Sequence, residues 1–206
     1  MEVLISNIHG ILAETLLSRQ FHAPIKAAPW LWALLLLCLL PPVTGRAEVV
    51  SREYPLKAVF LLNFAQFTDW PTNSFDDADS PFVMGVLGND PFGSVLDGVL
   101  RSESWKGHKI IVERFRRVED VKTCHILFIC QSETARLDAI VAHLKGRPVL
   151  TVSDIEGSAY RGVAVRFLTD NNKIHLQINV DSLKDAGLNM SSKVLRVAEI
   201  VTREKK

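Results

Sequence analysis

The sequence predicts an α/β domain of three layers, in which a mostly parallel β-sheet is flanked by helices and ends in a C-terminal antiparallel hairpin. The run Cys124–Cys130 is apolar except at one position, which is typical of a strand that is buried on both faces. A helical pattern and a second apolar run, Val149–Val152, follow it in the order of a βαβ unit. Two apolar segments around Asp170-Asn171-Asn172 predict the hairpin.

Residues 1–47 are predicted to be a signal peptide, so that the domain itself spans residues 48–206. Trp30–Leu40 is an uninterrupted apolar run that follows Lys26 and precedes a small-residue site ending at Ala47. A membrane-spanning helix needs about 20 apolar residues, and this run is shorter. A secretory signal that is cleaved after about Ala47 therefore fits better than the alternative, an N-terminal anchor.

The first segment of the domain, Glu53–Trp70, is predicted to be a helix, because large apolar residues recur along it at helical spacing. Lys57 lies off this stripe. The stripe either faces the core or forms part of a partner-binding surface, since its apolar load is heavy for one short helix. It consists of Leu56, Phe60, Phe64 and Phe67.

The next elements follow from apolar runs and from residues that start or stop helices. Ser132 is predicted to cap the helix of the βαβ unit, and Ser191 or Ser192 the last helix. The predicted strands are Phe82–Leu87, Lys109–Phe115, Cys124–Cys130, Val149–Val152, Val163–Thr169 and Lys173–Asn179. The predicted helices end near Leu100, Gly146, Ala186 and Val201, the last of them spanning Val194–Val201.

Polar residues follow three of the predicted strands, at the edge where an open α/β sheet binds ligands. We expect these loops to lie close together and to form a possible ligand loop. The segment after Phe82–Leu87 resembles a weak phosphate cradle, although a simple turn and helix cap is the alternative. The candidate ligand residues are Asn89, Asp90, Ser132 and Asp154.

Charge and cysteine content restrict the partners further. The formal net charge of +1 favours neither nucleic acid nor an anionic membrane. Cys124 and Cys130 would lie about 20 Å apart along an intact strand, whereas a disulfide requires Cα atoms within about 7 Å. No disulfide is therefore expected within the chain, and the two thiols are either buried or available to another chain.

No combination of residues predicts catalysis. The histidines of the domain do not pair at metal-ligand spacing, and no nucleophile elbow is present. His125, within an apolar strand, is predicted to be a hydrogen-bonded core residue. We therefore expect no catalytic residue, no metal and no cofactor.

Five segments occur in order along roughly Glu53–Val201. They are Glu53-Tyr54-Pro55-Leu56-Lys57, Val86-Leu87-Gly88-Asn89-Asp90-Pro91-Phe92-Gly93, Cys124-His125-Ile126-Leu127-Phe128-Ile129, Leu150-Thr151-Val152-Ser153-Asp154 and Ile178-Asn179. Together these segments resemble the YfiR family. The resemblance implies a dimeric periplasmic protein of Gram-negative bacteria that inhibits a membrane-bound diguanylate cyclase by contact with its periplasmic part, and so controls cyclic di-GMP and biofilm formation.

In one respect the chain departs from the family that it resembles. Family members often have a cysteine in the strand before the turn that matches Gly88–Gly93, where it can pair with the cysteine that matches Cys124. This chain has Val83-Met84-Gly85-Val86 in that strand, so the crosslink is not expected here. The sequence thus predicts a signalling regulator that acts by protein–protein contact. A periplasmic small-ligand sensor that uses the strand-end loops is the alternative, and an enzyme is a third interpretation.

Overall fold

The computed structural model describes residues 53–171 and 173–202. The predicted signal peptide, residues 1–47, lies outside these ranges. The helices are α1 Glu53–Gln66, α2 Ser94–Leu100, α3 Leu137–Leu144, α4 Val180–Asp185 and α5 Ser192–Leu195. The strands are β1 Thr68–Asp69, β2 Phe82–Leu87, β3 Ser104–Trp105, β4 His108–Phe115, β5 Ile126–Ile129, β6 Leu150–Ser153, β7 Val165–Asp170, β8 Lys173–Asn179, β9 Asn189–Met190 and β10 Glu199–Val201.

The main sheet confirms the predicted fold class. Its strand order is β10-β8-β7-β6-β5-β2-β4-β3. The pairs from β4 through β2, β5 and β6 to β7 are all parallel, and β7 and β8 form the C-terminal antiparallel pair. The predicted βαβ unit is β5, α3 and β6, and it lies in the middle of the sheet, as expected.

Strand β5 shows why the sheet needs a helical layer on each side. Its alternate side chains enter two separate hydrophobic clusters. Ile126 and Phe128 pack in the cluster that includes residues of α1 and α2, whereas Leu127 and Ile129 pack in the cluster that includes residues of α3. An unbroken apolar run was therefore the correct sign of a strand covered on both faces.

Gly85, in the middle of β2, lies where the sheet is packed too closely for a side chain. A Cβ atom at this position would lie 2.7 Å from Leu127 Cδ1, 2.8 Å from Phe115 Cε2 and 2.9 Å from Cys124 Sγ. Glycine therefore allows Leu127, Phe115 and Cys124 to pack directly against β2, whereas a larger residue would displace them.

The two ends of the domain differ from the sequence-based prediction. The first helix ends at Gln66 rather than near Trp70, and β1 then pairs with β9 in a separate two-stranded sheet. The predicted helix Val194–Val201 was wrong beyond Leu195. Ser191 does cap α5, but Glu199–Val201 forms a strand parallel to β8, because the sheet edge offers these residues backbone partners.

Within the described ranges, none of the helices has the length and apolar character required to span a membrane.

Candidate functional site: the strand ends and the first helix

The three predicted strand-end loops do lie side by side at the carboxyl ends of β2, β5 and β6. The Asn89 amide donates a hydrogen bond to Ser132 Oγ at 2.9 Å, and Gln131 Nε2 donates to the Asp154 carbonyl oxygen at 2.8 Å. Ser132 was predicted to cap a helix, but this was wrong, because its hydroxyl joins two loops and α3 begins only at Leu137.

Gly88 is required by this contact between loops. Its φ angle of +98° lies in the left-handed region, and a side chain on it would collide with the Ser132 hydroxyl. The loops are therefore packed against each other by backbone and short side chains, with little space between them.

Asp90, another predicted ligand residue, is held by groups of the chain itself. Its Oδ1 accepts a hydrogen bond from the Phe92 amide at 2.7 Å, and its Oδ2 pairs with Arg114 Nε at 2.7 Å. Arg114 also pairs with Asp97, and the hydrogen bonds that it donates to Asp97 and Asp90 raise the pKa of its guanidinium. Asp90 thus fixes the turn before α2 and connects that turn to β4.

Asp154 lies at the centre of a buried ionic group that we call the Lys57 cluster, consisting of Glu53, Tyr54, Lys57 and Asp154. Lys57 Nζ lies 2.6 Å from Asp154 Oδ2 and 2.6 Å from Glu53 Oε1. The side chains of Lys57 and Asp154 are only 1% and 7% exposed. Tyr54 donates its hydroxyl to the same Asp154 oxygen at 3.2 Å. The cluster fastens the first turn of α1 to the end of β6.

The electrostatics of the Lys57 cluster favour a fixed ionic arrangement over proton transfer. Burial, followed by the charge and hydrogen bond of Asp154, raises the pKa of Tyr54, so this phenol stays protonated. Burial also tends to raise the pKa of Glu53, but hydrogen bonds from Lys57 and Thr169 outweigh it and the pKa is lowered overall. Glu53 therefore remains a carboxylate, and the cluster acts as a structural latch at the strand ends.

The predicted apolar stripe of α1 is divided between core and surface. Phe64 is buried, and Phe60 is half-buried with its ring 5.8 Å from that of Phe167. Leu56 and Phe67 remain 44% and 38% exposed. Val59, which the spacing argument did not include, is 43% exposed. We call Leu56 and Val59, together with Phe67 directly after the helix, the exposed α1 stripe.

His125 occupies the hydrogen-bonded core position that the sequence predicted. The Val83 amide donates to its Nδ1 at 2.9 Å, which leaves the proton on Nε2, 3.1 Å from the Ser74 carbonyl oxygen. Its ring stacks on Phe75 with centroids 4.4 Å apart. Burial lowers the pKa of His125, because the neutral imidazole fits this site and the charged form does not.

The two cysteines of the domain, Cys124 and Cys130, are both buried and free. Burial raises the pKa of each thiol to about 12, and nearby carboxylates, Asp90 first among them, contribute to the shift at Cys130. Only the thiolate is a strong nucleophile and metal ligand, so neither residue is poised for such chemistry. Across the described residues, no group of three or more His, Cys, Asp or Glu side chains is placed to hold a metal ion.

Fold and site together define a small α/β domain whose strand-end loops are joined by hydrogen bonds and a buried ion pair and whose first helix presents apolar residues to the surface. The sequence model of the YfiR/HmsC-like family matches residues 54–199, well over half of the 206-residue chain, and the protein belongs to this family. Membership suggests a periplasmic regulator of diguanylate cyclase signalling with a regulatory rather than catalytic domain. No curated protein matches the chain.

Proposed function

We propose that this protein inhibits a membrane-bound diguanylate cyclase by direct contact with the periplasmic part of that enzyme, and so limits cyclic di-GMP and biofilm formation. The observation that carries the proposal is the family match over residues 54–199. Export would use the predicted signal peptide, residues 1–47. The protein would act without catalysis and without a cofactor, and as a homodimer.

The exposed α1 stripe is the contact surface that we propose. Its three large apolar side chains are between 38% and 44% exposed. Burying the remaining exposed part of such a side chain stabilises a complex by roughly 1 kcal/mol, before the costs of association are subtracted. Phe60 would contribute at the edge of the stripe, and Phe64 would support it from the core.

The test is capture of a membrane diguanylate cyclase by the protein purified from the periplasm, combined with cyclic di-GMP measurements in the same cells. We expect Leu56→Asp and Phe67→Asp to weaken capture at least tenfold and to raise cyclic di-GMP. Val197→Asp is the matched control, because Val197 is 76% exposed but lies near β10 and outside the stripe.

A cyclase that is captured and inhibited equally well by all three variants would place the contact away from α1. Failure to capture or inhibit any diguanylate cyclase would contradict the proposed function itself. Sedimentation of the purified protein tests the dimer, because a monomer at all accessible concentrations would exclude that part of the proposal.

A further inference from the structure

A cavity of about 430 Å³ lies between α3 and α4, near the amino end of β6. The sequence-based ligand site was expected at the carboxyl ends of the strands, which is the opposite end of β6 from this cavity. Ligand pockets in proteins typically enclose about 300–1,000 Å³, so the volume suits a small organic molecule.

The body of the cavity is apolar. Val141, Ala142 and Leu144 contribute from α3, Val149 lies just before β6, and Ala186 follows α4. Short side chains at the two alanine positions leave the space that larger residues would fill. A ring or a short alkyl chain is the kind of group that such a lining accommodates.

Charged side chains of both signs surround this apolar body. Arg161 Nε donates to Asp138 Oδ1 at 2.8 Å, and Asp185 also interacts with other groups of the chain. The Lys145 amide donates to the Ala142 carbonyl oxygen at 3.4 Å, but the Lys145 ammonium, which follows α3, forms no ion pair or hydrogen bond with the residues that the structure describes. The acidic groups around the cavity are therefore engaged, whereas a cationic group is available.

We propose that this cavity binds a small monocarboxylate with an apolar body, either an aromatic ring or a short alkyl chain. The apolar part lies against Val141, Val149 and Ala186, and the carboxylate meets the Lys145 ammonium. Arg161 adds the guanidinium donors that its bonds to Asp138 Oδ1 and to the Thr134 carbonyl oxygen do not use. The inference goes beyond the proposed function and does not depend on it, since it concerns binding to this chain alone.

The test is calorimetric titration of the purified protein with phenylacetate and hexanoate, with uncharged phenylacetamide as the comparison ligand. Both acids should bind, and phenylacetamide should bind at least tenfold more weakly, because it lacks the charge that Lys145 recognises. The Lys145→Gln variant is titrated with the same ligands. Its affinity for phenylacetate should be about tenfold lower than that of the unchanged protein, and its affinity for phenylacetamide should be the same. A tenfold change in affinity corresponds to about 1.4 kcal/mol.

A pair of variants on α3 locates the binding. Ala142→Phe fills the cavity and should abolish binding, whereas Ala139→Phe places the same ring on an exposed position that does not line the cavity. Melting temperatures of both variants report whether they fold. No binding of either acid at about 10 mM, where a Kd of about 1 mM would nearly saturate the site, would overturn the proposal. Binding that survives in folded Ala142→Phe, or equal affinity for acid and amide, would overturn it as well.

Discussion

Replacing the buried Lys57 with methionine should destabilise the domain by about 3 kcal/mol. Methionine keeps an unbranched apolar stem of similar length, so the change removes mainly the charge. Asp154 would then remain 7% exposed with only the Tyr54 hydroxyl as a donor to its Oδ2. Removing one partner of a buried ion pair costs about 3–5 kcal/mol. We expect a cost at the lower end of this range, because Glu53, the second partner of Lys57, is 31% exposed and water can solvate it.

The matched control is the ion pair of Lys106 and Asp69. Its Nζ–Oδ1 distance is 2.7 Å, close to that of the Lys57 pair, but its side chains are 62% and 63% exposed. Water screens such a pair, so Lys106→Met should cost less than about 1 kcal/mol. Urea unfolding followed by circular dichroism measures both free energies of unfolding, and their difference isolates the effect of burial.

A double-mutant cycle tests whether Lys57 and Asp154 act together. Asp154→Leu alone leaves a buried ammonium with Glu53, whereas the double variant removes both central charges. The double variant should therefore be more stable than the sum of the single effects predicts, with a coupling of about 2 kcal/mol. A cost below about 1 kcal/mol for Lys57→Met, or single effects that simply add, would refute the view that this pair is buried and mutually dependent.

Three further predictions concern buried positions elsewhere in the domain. Gly85→Ala should lower the free energy of unfolding by about 1–3 kcal/mol through overpacking, whereas Gly98→Ala, with no atom within 4 Å of the added Cβ, should raise it by about 0.5–1 kcal/mol in urea unfolding. The pKa of His125 is lower in the folded state than the value of about 6.5 in the unfolded chain, so the free energy of unfolding should decrease as the pH falls below about 6.5. His125→Asn should make this decrease smaller, which urea unfolding at neutral and mildly acidic pH measures. Cys124 and Cys130 should react with a thiol reagent only after denaturation, and rapid labelling of either of these two residues in the native protein would contradict their burial.

The centre of the fold could be predicted from the sequence because its signals are local. The strand Phe82–Leu87 has the predicted bounds, and β8 begins and ends at Lys173 and Asn179 as expected. Each is a short run with residues suited to a strand and bounded by turn residues, so neighbouring residues alone identify it. The turn residues of the hairpin likewise predicted its antiparallel pairing, which the structure confirms.

The C-terminal end could not be predicted in this way, because its structure depends on a distant strand. Val194–Val201 carries apolar residues at a spacing compatible with a helix, yet Glu199, Ile200 and Val201 pair with Gln177, Ile178 and Asn179 of β8. Tertiary pairing overrides helical propensity for such β-branched residues at an open sheet edge. The same holds for β1, whose partner β9 lies far along the chain.

Lys57 was placed outside the apolar stripe for a similar reason. Lysine is almost never buried unless it is paired, so a spacing argument assigns it to the solvent. Its partner Asp154 lies 97 residues further along the chain, after a different strand. Two signals could have indicated a paired cation: Glu53 four residues before it in the helix, and the carboxylate directly after a predicted central strand, which the sequence argument assigned to a ligand instead.

The anchoring of α1 bears on how the proposed contact would work. The Lys57 cluster and the Glu53–Thr169 hydrogen bond fix its first turn, and the Ser191 amide donates to the Phe67 carbonyl oxygen just beyond its last turn. Both ends of the helix are therefore tied to the rest of the domain, and the exposed stripe runs from Leu56 in the anchored first turn to the anchored Phe67. A contact surface on a rigid element loses little conformational entropy on binding. Substitutions that weaken the Lys57 cluster should accordingly reduce the affinity for the partner as well as the free energy of unfolding, even though the buried Lys57 cannot contact a partner.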